Sequence, residues 1–161
     1  LVSAYDFMPT LLDYLGLKPL DMAKRPGVSF VPALLGQDFE RPGGIVVMDE
    51  YGPNRMLRDQ RYKYIARYPY GPNALYDLKA DPGEQDNLLA HGGFEALEQE
   101  LRGRLEKWFA KYVNPEIDGA REAVVGSGQI GLAGLWGAGV SAHSCDDYIK
   151  KNPNYALYRV K

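Results

Sequence analysis

Residues 61–68 read RYKYIARY, and the alternation inside them decides the fold class. Successive side chains of an extended chain point to opposite faces, so Tyr62, Tyr64 and Ala66 share one side and Lys63, Ile65 and Arg67 the other. One face is aromatic and the other amphipathic, which suits a sheet covered on a single side. The same rhythm runs outward in both directions. GIVVMDEY (44–51) and NRMLRD (54–59) come before it and ALYDL (74–78) after it. The separators Gly-Pro-Asn, Asp-Gln and Tyr-Gly-Pro-Asn carry the residue types that tight turns require. Four closely spaced strands with short connections predict an antiparallel sheet.

The cover is predicted to be a helix over residues 94–112, where Leu97, Leu101, Leu105, Trp108 and Phe109 recur at spacings of three and four. Burying such a stripe contributes roughly 1.5–3 kcal/mol per large side chain before conformational entropy is subtracted. The expected fold is α+β: a small four-stranded antiparallel sheet packed by one long C-terminal helix. Upstream, residues 4–15 place Phe7, Leu11, Leu12 and Leu15 near one helical face, with Ser3 or Asp6 as N-cap, Pro9 in the first turn and Gly16 as the stop. GVSFVPALLGQ (27–37) offers one further short apolar turn ending at Gly36. Both pieces read as helical remnants at the edge of something larger.

After Asn114 the periodicity fades. The stretch GSGQIGLAGLWGAGVSAH (126–143) holds six of the 18 glycines and no Asp, Glu, Lys or Arg. Its Leu132, Leu135 and Trp136 favour packing on another domain or a second subunit, and NYALYRV (154–160) could add an edge strand. The expected division is residues 1–40 as helices and loops at the edge of something larger, 41–113 as the sheet and helix, and 114–161 as a glycine-rich extension.

With 161 residues, 45% hydrophobic and 25% charged, the chain is long enough for one ordinary core. A net charge of -2 with scattered Lys and Arg gives no electrostatic footprint for nucleic acid or an anionic membrane. No apolar run reaches the length that spans a bilayer, and an export signal would have to lie upstream of Leu1. Both a periplasmic and a cytoplasmic compartment stay open. Cys145 is the single cysteine, so no internal disulfide can form. Twelve tyrosines against five phenylalanines suggest rings at wet edges, with the hydroxyl in water.

Four stretches, in order, carry a family likeness: AYDFMPTLLDYLGL (4–17), GVSFVPALLGQ (27–37), RYKYI (61–65) and LYDLKADPGEQDNL (75–88). Together they resemble the C-terminal portion of a sulfatase of the alkaline phosphatase superfamily. The resemblance implies a large N-terminal α/β domain with the catalytic site and a smaller C-terminal domain of four antiparallel strands and a helix. It also implies a sulfuric ester hydrolase that uses a formylglycine made from a Cys/Ser-x-Pro-x-Arg motif and a divalent metal, usually calcium, held by Asp and Asn. Such a reaction needs both parts, because a sulfate ester is a weakly electrophilic anion whose oxygens must be neutralised during attack.

Neither part stands in this chain. Cys145 is followed by Asp146 and Asp147 rather than by the required Pro and Arg, and two carboxylates beside a thiol disfavour its thiolate. The expectation is a piece that supplies no catalytic residue and no metal ligand, with the N-terminal domain of the same protein as partner, a sulfate ester as substrate and homo-oligomerisation open. The residues assigned to substrate binding are Glu50, Tyr51 and Arg55. They lie at the end of the first strand and the following turn, which in the family sits near the domain junction. Their role would be to contact the substrate beyond its sulfate; a solvated turn is the plainer reading.

Asp77, Asp81, Glu84 and Asp86 lack the ligand spacing of a calcium loop and read as a structural turn. In that reading Asp81 opens the turn, Gly83 supplies free backbone angles, Asp86 or Asn87 accepts backbone N–H groups, and Tyr76 packs as an anchor. His91 reads as solvated, and neighbours on an extended chain point to opposite faces, so His143 next to Ser144 and Cys145 does not read as a catalytic set. Two other functions stay open: a phosphodiester or phosphonate monoester hydrolase of the same superfamily, and a non-catalytic interaction module.

Overall fold

The computed structural model describes residues 1–17, 21, 23–49, 54–68 and 72–119. Strands β1 (Ile45–Met48), β2 (Asn54–Arg58), β3 (Tyr62–Arg67) and β4 (Ala74–Asp77) form one antiparallel sheet in the order β1-β2-β3-β4. Each pairs with its neighbour in sequence, as short turns require. The register aligns Val46, Leu57, Tyr64 and Leu75 in a single crosswise row, one residue from each strand. All four are buried.

Helix α3 (Glu95–Tyr112) covers this row with Leu101, Leu105 and Phe109, while Leu97 and Trp108 pack at the margin. The α+β architecture expected from the alternation and the helical stripe is the one observed. Tyr64, with no exposed surface, reaches across the layer and donates its hydroxyl to Glu98 Oε1 at 3.3 Å. Asn73 Nδ2 donates to the same oxygen at 3.1 Å, so one carboxylate on α3 ties β3 to the β3–β4 connection.

Both sheet edges are closed by side chains. Tyr5 Oη accepts the N–H of Val46 on β1 at 2.9 Å, and Asn87 Oδ1 accepts that of Leu75 on β4 at 2.9 Å. Capped edges cannot recruit another strand at those points. Gly44, at φ +78°, lies where a Cβ would stand 2.5 Å from the Arg58 carbonyl oxygen, so only glycine lets the chain enter β1 there.

The N-terminal piece is built differently. A 3-10 turn (Ala4–Asp6) leads into α1 (Phe7–Tyr14), and α2 (Val31–Leu34) lies against it. The stripe expected on α1 exists, but it points outward: Phe7 is 65% exposed, Leu15 56% and Leu35, just past α2, 63%. The side that packs inward carries Asp6, Pro9 and Thr10. Gly27 passes so close to this turn that a Cβ would lie 2.1 Å from the Tyr5 carbonyl oxygen.

Two local expectations change. The left-handed residue of the acidic turn is Glu84, at φ +54°, and not Gly83; Lys63 Nζ holds the Glu84 carboxylate at 2.5 Å. Tyr76 is only half-buried, opposite Lys63, and the anchoring tyrosines are Tyr64 and Tyr5. Residues 120–161, with Cys145, His143, Trp136 and the suggested edge strand, lie outside the described residues, as do Glu50 and Tyr51.

Candidate functional site

The corner of the sheet where the β1–β2 connection joins holds an unusual set of polar groups. Asp49 and Asn54 close its base: the Asp49 N–H donates to the Asn54 carbonyl at 3.1 Å, and Asn54 Nδ2 donates to Asp49 Oδ2 at 2.7 Å. Arg55 follows on β2. Alternation puts it on the same face as Leu57, so its side chain enters the covered layer and is almost wholly buried.

Three groups receive it. The guanidinium lies over the Phe109 ring at 3.8 Å from the centroid and near the Tyr68 ring at 5.0 Å, and it forms an ion pair with Asp118. Aromatic faces and a carboxylate together are what a buried guanidinium requires. Burial pushes the Tyr68 hydroxyl pKa up, and the Arg55 charge opposes that shift. Asp118 comes from the segment after α3, where Asn114 Oδ1 caps a further turn (Pro115–Ile117) by accepting the Glu116 N–H at 3.1 Å. Of the three residues assigned to substrate binding, the structure describes Arg55 alone.

A second polar centre went unforeseen. Asp6, with no exposed surface, accepts Arg41 Nε at 2.9 Å, a second Arg41 nitrogen at 3.0 Å, the Val28 N–H at 3.0 Å and the Ser3 N–H at 2.8 Å. Arg41 also donates to the carbonyls of Pro26, at 3.2 Å, and Gly44, and lies 5.1 Å from the Tyr5 ring centroid. Burial pushes the Asp6 carboxyl up, yet the hydrogen bonds from Arg41, Val28 and Ser3 outweigh it and hold the pKa below the usual carboxylate range. The pair spans 35 residues and crosses the boundary expected at residue 40. Its one sequence signal was an Asp at the start of an apolar helix with no local cation.

The acidic turn works as the turn chemistry predicts, with its roles shifted. Asp77 Oδ2 accepts two nitrogens of Arg61, at 3.0 and 2.8 Å, while its other oxygen accepts the Lys79 N–H at 3.1 Å. Asp81 Oδ2 accepts the Asp86 N–H at 2.8 Å, and Asn87 caps the turn Leu88–Ala90 through the Leu89 N–H at 3.2 Å. Asp86 faces His91 Nε2 at 2.5 Å on the open surface. These carboxylates are engaged by cations and amides, and among the described residues no three His, Cys, Asp or Glu side chains gather as metal ligands. The donor set does not fit a calcium site.

A cleft of about 440 Å³ opens between α3 and the β2–β3 turn, beside Asp59, Arg61 and Arg104. Arg104 spans it, donating to Asp59 Oδ2 at 2.8 Å. Among the described residues no helix is long and apolar enough to cross a membrane.

No protein-family model matches the chain. Among curated proteins it is similar to a Delta 4,5-hexuronate-2-O-sulfatase of Bacteroides thetaiotaomicron, 33% identical over 113 residues, which covers 66% of this chain and 23% of that protein. Among solved structures it is similar to a 2-O GAG sulfatase, with TM-score 0.55 and 32% identity over 65% of this chain and 24% of the other. It is also similar to a phosphonate monoester hydrolase of Agrobacterium radiobacter, with TM-score 0.54 and 28% identity over 76% of this chain and 27% of the other. The chain thus spans about a quarter of the length of the proteins it matches. The chain belongs with the sulfatases of the alkaline phosphatase superfamily, to whose C-terminal portion it corresponds.

Proposed function

We propose that this chain is the C-terminal domain of a hydrolase that cleaves sulfate esters, and that the ester is carried by a saccharide. The observation behind this reading is the 113-residue likeness to a hexuronate 2-O-sulfatase. The chemical step then belongs to the rest of the protein, which would supply the formylglycine and the calcium ligands. Residues 1–40 would be the end of that catalytic part, 41–113 the C-terminal sheet and helix, and 114–161 an extension.

The outward apolar stripe of α1 and α2 supports such a partner. Phe7, Leu11, Leu15, Leu34 and Leu35 form a surface that a self-sufficient domain would bury. Near the substrate, this chain would contribute the β1–β2 connection, with Glu50 and Tyr51 meeting the sugar beyond its sulfate and Arg55 at the foot of the connection. Such contacts change discrimination between substrates more than the rate of sulfate release.

The test is sulfate release by the full-length protein from a 2-O-sulfated unsaturated uronate, with a phosphonate monoester assayed in parallel. Turnover of the sulfate by at least a hundredfold over the phosphonate supports the proposal. The reverse preference would establish the second reading, a phosphonate monoester hydrolase, which rests on the likeness to the Agrobacterium enzyme. Turnover of neither leaves an interaction module.

A further inference from the structure

The crosswise row next to Val46, Leu57, Tyr64 and Leu75 runs through exposed Met48 and buried Arg55 and Ala66. Leu57 fills the same face of the same strand two residues away, so an aliphatic side chain suits this environment. A guanidinium there must give up its water, and a buried ion pair is often no more stabilising than apolar residues of similar volume. What an ion pair adds is geometry. The planar fork of Arg55 donates to Asp118 from a fixed direction, while Phe109 and Tyr68 flank its plane.

The pair also has a definite address. Arg55 adjoins Asn54, whose side chain holds Asp49, so the base of the β1–β2 connection is locked twice: to itself through Asp49 and Asn54, and to α3 and the segment after it through Arg55 and Asp118. At the opposite end of the sheet the β2–β3 turn is held to α3 by Arg104 and Asp59, each partly exposed to water. The buried, aromatic-lined pair stands at the end that the proposed function brings to the substrate.

We propose that Arg55 and Asp118 are a positioning pair, which holds the foot of the β1–β2 connection in one orientation against α3 and thereby sets substrate discrimination without touching the substrate. The substrate part of this inference rests on the proposed function; the structural part stands without it. The test is made in the full-length protein with Asp118→Asn and with the double variant Arg55→Leu plus Asp118→Leu, which keeps the site packed and removes both charges. Two readouts are taken: hydrogen exchange of the Asp49 amide, and kcat/KM on a saccharide sulfate and on a small aryl sulfate.

The expected result is Asp49 exchange at least tenfold faster in both variants, with the amides of Tyr64 and Leu75 within twofold of wild type. The loss of kcat/KM is expected to be at least tenfold larger for the saccharide than for the aryl sulfate, with Asp118→Glu recovering part of it. Unchanged Asp49 exchange overturns the pair as a positioning device, and so does equal acceleration across the whole sheet, because the pair would then serve only global stability. Faster Asp49 exchange with equal losses on both substrates overturns the discrimination role alone. A wild-type protein that cleaves no sulfate ester refutes the proposed function while leaving the exchange result to judge the pair.

Discussion

The sheet with its helix and the N-terminal helical piece solve the burial problem in opposite ways. Across β1 to β4 the covered face is mostly apolar, with Val46, Leu57, Tyr64 and Leu75 against Leu101, Leu105 and Phe109, and Arg55 and Asp77 are its buried charged members. In α1 the inward side carries Asp6 and Thr10 with Arg41, and the apolar side faces out. The first region buries its apolar row between sheet and helix. The second is held by ion pairs and amides while Phe7, Leu11 and Leu15 are exposed, the surface to which the proposed function assigns a partner.

The sharpest way to break this contrast is to empty the two regions in turn. Leu105→Ala or Tyr64→Ala removes a fully buried side chain, and denaturant unfolding should show a loss of about 3–5 kcal/mol. Asp6→Ala comes next, because it strands the buried Arg41 guanidinium; a loss of about 3–5 kcal/mol is again expected, here confined to the N-terminal piece and the start of β1. Hydrogen exchange should place it at Val28 and Val46 rather than at Leu75. A loss spread evenly over the sheet would erase the distinction.

The acid limb of stability gives a second handle on the same pair. The Asp6 pKa is lower in the folded protein than in the unfolded chain, so its contribution is fully present above the usual carboxylate value of about 4. That contribution fades as pH falls through the lower folded value. Asp6→Asn should therefore flatten the loss of stability below about pH 4. An unchanged acid limb would mean that other carboxylates, such as Asp59 or Asp77, dominate it.

Smaller effects probe the sheet edge. Asn87→Ala removes the acceptor for Leu75 N–H and the cap of the turn Leu88–Ala90, and should cost about 1–2 kcal/mol in thermal unfolding. Glu84→Gly relieves a left-handed non-glycine residue but gives up the ion pair with Lys63, so the net change should stay within about 1 kcal/mol.

How much of this was legible follows from the range of the interactions. The alternation in RYKYIARY, the Asp-Gln turn before it and the leucine stripe of α3 are local patterns, and each reappears at its expected place. Asp6 with Arg41, Arg55 with Asp118 and Tyr5 with Val46 join residues far apart in sequence, and no local spacing announces them. Periodicity located the stripe of α1 without giving its direction, because an amphipathic helix looks the same whether its partner lies within the chain or outside it. Arg55 was noticed from its place beside a turn, yet that place alone did not show that its side chain enters the core.

The most direct test of the central contrast is hydroxyl-radical labelling of side chains in the full-length protein, comparing Phe7, Leu15 and Leu35 with buried Leu57 and exposed Ile117. If the stripe of α1 and α2 is an interface with the rest of a sulfatase, those three should label about as slowly as Leu57. Labelling at the rate of Ile117 would contradict the account, since the stripe would then be open in the protein that was supposed to cover it.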